Sequence, residues 1–213
     1  MPTAYLCDFD GTIAPSDIGA GLFQRFALGD RSEAKQALAR WKDDAIGHRE
    51  LTEIECRAME MSEDEALTFS RTYSIDPGFA GFVASARARG GMVMVASEGY
   101  DFYVADQLTR AGLGDVPWRA NHARFEGRRM IPEFPWADPS CTRCGNCKAQ
   151  YVRDLRARGF RVVFVGDGLS DRCGARAADT VFARASLWEW CLREGVGARP
   201  FVDFGALRED EAA

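Results

Sequence analysis

"TAYLCDFDGT", residues 3–12, is an apolar run that stops abruptly in two aspartates, a glycine and a threonine. Runs of the same kind recur at GMVMVAS (91–97), RVVFVGD (161–167) and TVFA (180–183). Between them lie segments with apolar residues at three- and four-residue spacing: GFAGFVASARARG (78–90), YDFYVADQLTRAG (100–112), KAQYVRDLRARG (148–159) and DRCGARAAD (171–179). Continuous apolar strands alternating with helices predict an α/β fold, a doubly wound parallel sheet covered on both faces.

The alternation breaks twice. Residues 16–76 are polar, amphipathic and helix-rich, with RSEAKQALARWKDD and LTEIECRAMEMSEDEALTFSRTY and no buried-strand pattern. This predicts a helical cap (16–76) inserted into a core formed by 1–15 and 77–213. The second break, WRANHARFEGRRMIPEF (118–134), alternates around a glycine and predicts a hairpin. Only the acidic tail after Leu207 is expected to fray.

A chain of 213 residues, 46% of it hydrophobic, can bury one sizeable core plus a compact insertion. A formal net charge of -5 with scattered arginines argues against nucleic-acid or membrane-surface partners and for a small ligand, handled by a monomer or homodimer. There is no basic lead, no apolar export segment and no run of about 20 apolar residues. Seven cysteines are then read as reduced thiols or metal ligands, and the expected location is cytoplasmic.

Ligands of an open parallel sheet bind beyond the carboxyl ends of its strands. Those ends carry Asp8, Asp10 and Thr12; Ser97 followed by Glu98 and Gly99; and Asp167 with Asp171. Converging carboxylates need a cation among them, and hard oxygen ligands suit Mg²⁺. Such a centre points to phosphoryl transfer, in which aspartate is a known nucleophile. A strand-end aspartate alone is more often a turn or helix cap. An EF-hand loop counted from Asp8 would need an acidic or amide ligand, a glycine and a closing glutamate where Thr12, Ile13 and Gly19 stand. A serine-hydrolase elbow at VASEGY lacks its first glycine.

SCTRCGNCKAQ (140–150) places three cysteines ahead of Lys148. The chain has only three lysines among 27 basic residues, and this one opens a helix, where the dipole disfavours a cation. A compact ammonium meant for a confined anionic site accounts for it. The cysteines admit three readings. An iron–sulfur cluster needs a fourth cysteine, where the ferredoxin spacing meets Tyr151 instead; the other two are packed reduced thiols and structural Zn²⁺ on Cys141, Cys144 and Cys147 with His122 as fourth ligand.

Asp8-Phe9-Asp10-Gly11-Thr12, Ser97, Lys148 and Gly166-Asp167 with Asp171, in this order, resemble the haloacid dehalogenase superfamily of phosphatases, in its phosphoserine-phosphatase-like branch. ANHARF, the cysteine run, GDGLSD, VFARASL and RPFVDF narrow the likeness to phosphatases of methionine salvage. The resemblance implies a Rossmann-like core and an aspartyl-phosphate mechanism. Asp8 would be the nucleophile, Asp10 the general acid and base, and Lys148 the neutralising cation. Asp8, the Asp10 carbonyl and Asp167 would hold Mg²⁺, with Asp171 in or beside the shell. Thr12, Ser97 and the Glu98–Gly99 turn would meet the phosphoryl group, and Asp17 and Arg57 of the cap would meet the rest of the substrate; the other readings are a helix N-cap for Asp17 and a solvated helix face for Arg57. Other readings are phosphoserine or another small phosphomonoester as substrate, or a non-catalytic zinc-loop module on a phosphatase fold.

Overall fold

The computed structural model describes residues 1–210. Its centre is β1 (Thr3–Cys7), which pairs in parallel with β2 (Met92–Tyr100) on one side and β5 (Arg161–Gly166) on the other. Tyr5 faces both Val93 and Val163, so the strand is hydrogen-bonded along both edges. Side chains of successive strand residues point to opposite faces. Tyr5, Cys7, Val93, Val95, Val163 and Val165 join one buried cluster, and Ala4, Leu6, Val162 and Phe164 join the other. Both faces of the sheet are thus apolar, as the uninterrupted runs require.

The full order is β4-β3-β2-β1-β5-β6-β7, where β3 is Trp118–Glu126, β4 Arg129–Glu133, β6 Thr180–Ala183 and β7 Arg199–Pro200. The chain runs outward from β1 through β2 and β3, then crosses back to begin the other half at β5. The switch point therefore lies between β1 and β5, the position where such sheets bind ligands. The hairpin forms as expected, turning at Gly127 with φ +63, and β3 also extends the parallel sheet by pairing with β2. A hairpin pattern read in isolation does not reveal that second pairing.

Residues between β1 and β2 form α1 (Ile18–Phe26), α2 (Ser32–Lys42), α3 (His48–Ala58) and α4 (Glu63–Ser70), and then α5 (Phe79–Ala88), which packs on the sheet. In α4 a capping box fixes the start: Glu65 N–H donates to Ser62 Oγ, and Ser62 N–H donates to the Glu65 carboxylate. Ala34, Ala37, Ile46, Leu51 and Ile54 give the insertion a small core of its own, while Ile18, Leu22 and Phe26 tie α1 to the main one.

The remaining helices are α6 (Asp101–Arg110), α7 (Lys148–Ala157), α8 (Arg172–Ala177), α9 (Ala185–Glu194) and α10 (Phe204–Asp210), with a 3₁₀ turn at Leu169–Asp171. The acidic tail expected to fray is helical as far as Asp210. Residues 211–213 lie outside the described part of the chain. Among the described residues no helix is long and apolar enough to cross a membrane.

Candidate active site

The end of β1 turns sharply at Gly11, whose φ of +78 belongs to the left-handed region that favours glycine. A Cβ there would also collide with the Asp167 carboxylate, so the turn needs glycine twice over. Arg184, between β6 and α9, donates from Nε to the Gly11 carbonyl at 2.7 Å and again from Nη2. It clamps the aspartate turn from the opposite half of the sheet, and nothing in the spacing of VFARASL singled it out.

Asp8 and Lys148 are both buried, and Lys148 Nζ donates to Asp8 Oδ1 at 2.5 Å and to Asp171 Oδ1 at 2.5 Å. Burial opposes the ammonium charge, but the Asp171 and Asp8 carboxylates hold Lys148 above its ordinary value. Burial and the Asp171 carboxylate push Asp8 upward, against the pull of Lys148. Asp167 is raised to about 6, by burial first and then by Asp171. Three carboxylates thus share one ammonium.

Ligand oxygens of Asp8, Asp167 and Asp171 lie within 4.8 Å of one another, and among the described residues this is the one such His/Cys/Asp/Glu group of three or more. An excess of carboxylate over ammonium, with oxygen donors alone, fits a hard divalent cation. The second Asp171 oxygen is already engaged, accepting from the N–H groups of Asp167 (3.0 Å) and Gly168 (2.9 Å). Asp171 therefore fixes Lys148 and the β5 turn as well as bordering the cation site.

Asp10 lines the cavity above this centre. Its Oδ1 accepts from Ile18 N–H at 2.9 Å and its Oδ2 from the Tyr103 hydroxyl at 2.6 Å. Burial and the neighbouring Asp17 raise Asp10 to about 7, although the Tyr103 and Ile18 hydrogen bonds work the other way. Tyr103 is a residue that the sequence reading missed. A signal existed in Gly99: any Cβ there would run into the Tyr103 hydroxyl and the Asp10 carboxylate. The glycine is what lets α6 deliver the phenol.

Ser97 lines the same cavity, with its hydroxyl donating to Asp10 Oδ2 at 3.4 Å and accepting from Gly99 N–H at 2.9 Å. The carbonyls of this turn are held by two buried asparagines. Asn146 donates to the Ser97 carbonyl (2.8 Å) and Asn121 to that of Glu98 (2.6 Å). Glu98 also lines the cavity, and its Oε2 meets His48 Nδ1 at 3.1 Å and Gly145 N–H at 3.0 Å. Burial opposes the Glu98 charge, but the His48 bond and the Lys148 charge prevail and hold it below its ordinary value. His48 is raised in turn, against its burial.

Three expectations are corrected. Thr12 is fully buried and donates to Asp167 Oδ1 at 2.9 Å, so its hydroxyl braces a carboxylate instead of opening into the cavity. Arg57 is turned away: its side chain is 58% exposed and pairs with Glu33 at 3.4 Å. The cavity-facing side of α3 is His48, Leu51, Thr52 and Glu55, a three-and-four spacing that Arg57 does not share. The proposed zinc ligands do not assemble either. Cys141, Cys144, Cys147 and His122 form no such group, and His122 lies on β3 with Nδ1 2.5 Å from Asp101. Asp17 does both things considered for it, capping α1 by accepting from Ala20 N–H at 2.8 Å and lining the cavity.

The cavity encloses about 420 Å³ between the sheet ends and the helical insertion. Its floor is acidic, and the insertion sets Phe23, Leu38, Trp41, Leu51 and Met59 into the cavity beside Gln24, Arg31 and Lys35. Glu55 also lines it from the insertion and is raised to about 7 by burial.

The chain is similar over most of its length to proteins of known name. It is 34% identical to the 2-hydroxy-3-keto-5-methylthiopentenyl-1-phosphate phosphatase of Brevibacillus brevis over 185 residues, covering 85% of this chain and 82% of that protein. The Geobacillus kaustophilus protein of the same name is 34% identical over 209 residues, with 93% and 90% covered. In fold, the chain resembles a substrate-bound phosphoserine phosphatase, with a TM-score of 0.72 at 16% identity over all of this chain and 98% of the other. The profile of haloacid dehalogenase-like hydrolases matches residues 5–176, which span the aspartate turn, Lys148 and both aspartates after β5. The chain belongs to the haloacid dehalogenase-like hydrolase family.

Proposed function

We propose that this chain is a phosphomonoesterase whose substrate is a small phosphorylated metabolite, 2-hydroxy-3-keto-5-methylthiopentenyl-1-phosphate. The observation that carries the reaction is the pairing of Asp8 with a buried Lys148 at a cavity that Asp10, raised to about 7, also lines. Asp8 attacks phosphorus, forming a P–O bond as the ester oxygen departs with the proton of Asp10. Asp10, now ionised, takes a proton from water, and the resulting hydroxide displaces phosphate from Asp8. Lys148 holds the attacking carboxylate in place and offsets charge at the phosphoryl oxygens. Ser97 Oγ and the Gly99 N–H stand at the turn that would receive those oxygens. Mg²⁺ held by Asp8, Asp167 and the Asp10 carbonyl would supply further charge neutralisation.

The named substrate rests on the two relatives and on the apolar residues that the insertion sets into the cavity, which suit a methylthio tail. Phosphoserine is the other reading: Arg57 faces solvent, and Arg31 and Lys35 are the basic residues that line the cavity. A non-catalytic zinc-loop module leaves the buried Asp8–Lys148–Asp171 set without a purpose. Residues 16–76 act as a cap over the core of 1–15 and 77–213, closing on the substrate to exclude water.

Phosphate release from a panel of small phosphomonoesters tests this reading. Mg²⁺-dependent, EDTA-sensitive turnover is expected, fastest on the methylthiopentenyl compound. Faster turnover of phosphoserine would displace the named substrate, and silence across the panel would remove the enzyme reading. Tyr103→Phe gives an independent check on Asp10. The phenol stabilises the carboxylate, so its loss raises the Asp10 pKa further. The alkaline limb of the kcat profile, where the acid loses its proton, is then expected to move to higher pH. An unmoved limb would take the acid role from Asp10.

A further inference from the structure

His48, the first residue of α3, reaches from the insertion to Glu98 near the end of β2. Its Nδ1 lies 3.1 Å from Glu98 Oε2 and 3.4 Å from Thr52 Oγ1. An ionised carboxylate only accepts, so Nδ1 carries the hydrogen that joins the pair. The other ring nitrogen, Nε2, has no hydrogen-bond partner among the described residues and is open to solvent. His48 lines the catalytic cavity and, together with Trp41 and Ser170, the cleft next to it. Its ring packs edge to face with Trp41, the centroids 5.3 Å apart.

Such a pair could serve only to fasten the insertion to the core, but that fastening exists without it. Arg49 donates from Nη2 to the carbonyls of Cys141 and Cys144, each at 3.0 Å, and from its N–H to the Arg143 carbonyl at 3.1 Å. Arg143 donates in return to the Ile46 carbonyl at 3.0 Å, and Gly47 lies so close that a Cβ there would strike the Arg143 backbone. Both chain neighbours of His48 are thus pinned to the loop before Lys148, and the same loop sends Gly145 N–H to Glu98 Oε2. The pair also carries a cost that an apolar fastening would not, since Glu98 Oε1 is buried with no hydrogen-bond partner. What the arrangement secures is the ring. Its backbone is fixed on both sides, Glu98 sets its tautomer, and Nε2 is left for a ligand.

We propose that His48 is a specificity-determining residue whose Nε2 hydrogen-bonds a hydroxyl on the substrate carbon next to the one that bears the phosphate ester. A hydroxyl suits this nitrogen in either state of the ring, donating to it when neutral and accepting from it when charged. Glu98 stands between Ser97 and Gly99, whose Oγ and N–H form the turn beside Asp10. A group met by the histidine that Glu98 holds therefore belongs to the phosphate end of the ligand and not to its tail. The inference deepens the phosphomonoesterase reading and rests on it: the compound named above carries its hydroxyl on the carbon next to the phosphate-bearing one. Phosphoserine carries an ammonium at that place, which only donates and so suits the neutral ring alone.

The probes are 2-hydroxypentyl phosphate and pentyl phosphate, which differ in that oxygen alone. The parent chain should prefer the hydroxyl ester in kcat/KM on the order of 10- to 100-fold. His48→Asn sets an amide near the place of Nδ1 and nothing at Nε2. Its unfolding midpoint should stay near the parent's while the preference disappears. His48→Gln sets an amide near the place of Nε2 and should recover part of the preference with the Glu98 bond lost. A parent chain without the preference, an Asn variant that keeps it, or a Gln variant no more selective than the Asn one would each overturn the proposal. So would an Asn variant that loses preference and midpoint together, which would reduce His48 to a fastening. Failure of the enzyme reading shows differently, as silence toward both esters. Dissociation constants measured by calorimetry then decide the inference alone: tighter binding of the hydroxyl ester that His48→Asn removes upholds it, and equal or absent binding overturns it.

Discussion

Asp8→Asn is expected to lower phosphate release by about 10⁴-fold or more, the scale seen when a covalent nucleophile is removed. The amide keeps the carboxylate's shape and can still accept from Lys148, so the loss is chemical and not structural. Stability should move the other way or stay level. Asp8 is held above the ordinary carboxylate range by burial and by Asp171, so replacing it with a neutral group relieves repulsion. Rate and unfolding midpoint measured on the same preparation check both halves. Phosphate release within tenfold of the parent chain would show that another group attacks phosphorus. A collapsed midpoint would show that Asp8 serves the fold more than the reaction.

Lys148→Met carries the second large effect, and here activity and stability fall together. The ammonium is 2% exposed and is the charged partner of Asp8 and Asp171 at once. Removing one member of a buried ion pair typically costs about 3–5 kcal/mol, because the remaining charge is left without compensation. The rate should drop on the order of 10²- to 10³-fold, as when a donor to developing charge is deleted. The pH dependence gives the sign. Without Lys148, the folded-state pKa of Asp8, already raised, rises further, so the folded chain binds a proton that the unfolded chain releases. That contribution to stability is present at low pH and is lost as pH rises through the folded pKa. The deficit of the variant, measured by urea unfolding with EDTA, should therefore be smaller at pH 5 than at pH 8. An equal deficit at both values would point to lost packing as the cause.

The strand runs and the strand-end aspartates were legible because each is a local signal. Four continuous apolar segments marked β1, β2, β5 and β6, and the residues at their ends fall where a parallel sheet must gather them. Lys148 was legible through its awkward helix position. What was not legible depends on contacts between distant segments. Tyr103 reaches Asp10 across 93 residues and Arg184 reaches Gly11 across 173, and neither partner leaves a spacing pattern. The substrate role for Arg57 was transferred from a family pattern, whereas the helical phase of α3, set by His48, Leu51, Thr52 and Glu55, turns it outward. The cysteine run suggested a metal because its spacing resembles a knuckle.

The central place of β1 has a consequence for how the chain comes into being. Of the seven strands of this sheet, β1 leaves a ribosome first, and it must end with neighbours on both edges, residues 92–100 and 161–166. Pairings of such long sequence separation form slowly, since a large loop must close before they are rewarded. Until β5 emerges, β1 keeps an open edge, and Asp8 lacks both Lys148 and Asp171. The helical insertion, with its own small core, can meanwhile condense on local contacts. Synthesis thus builds the roof of the pocket before its floor, and the Asp8–Lys148–Asp171 set can assemble only once β5 threads in beside β1.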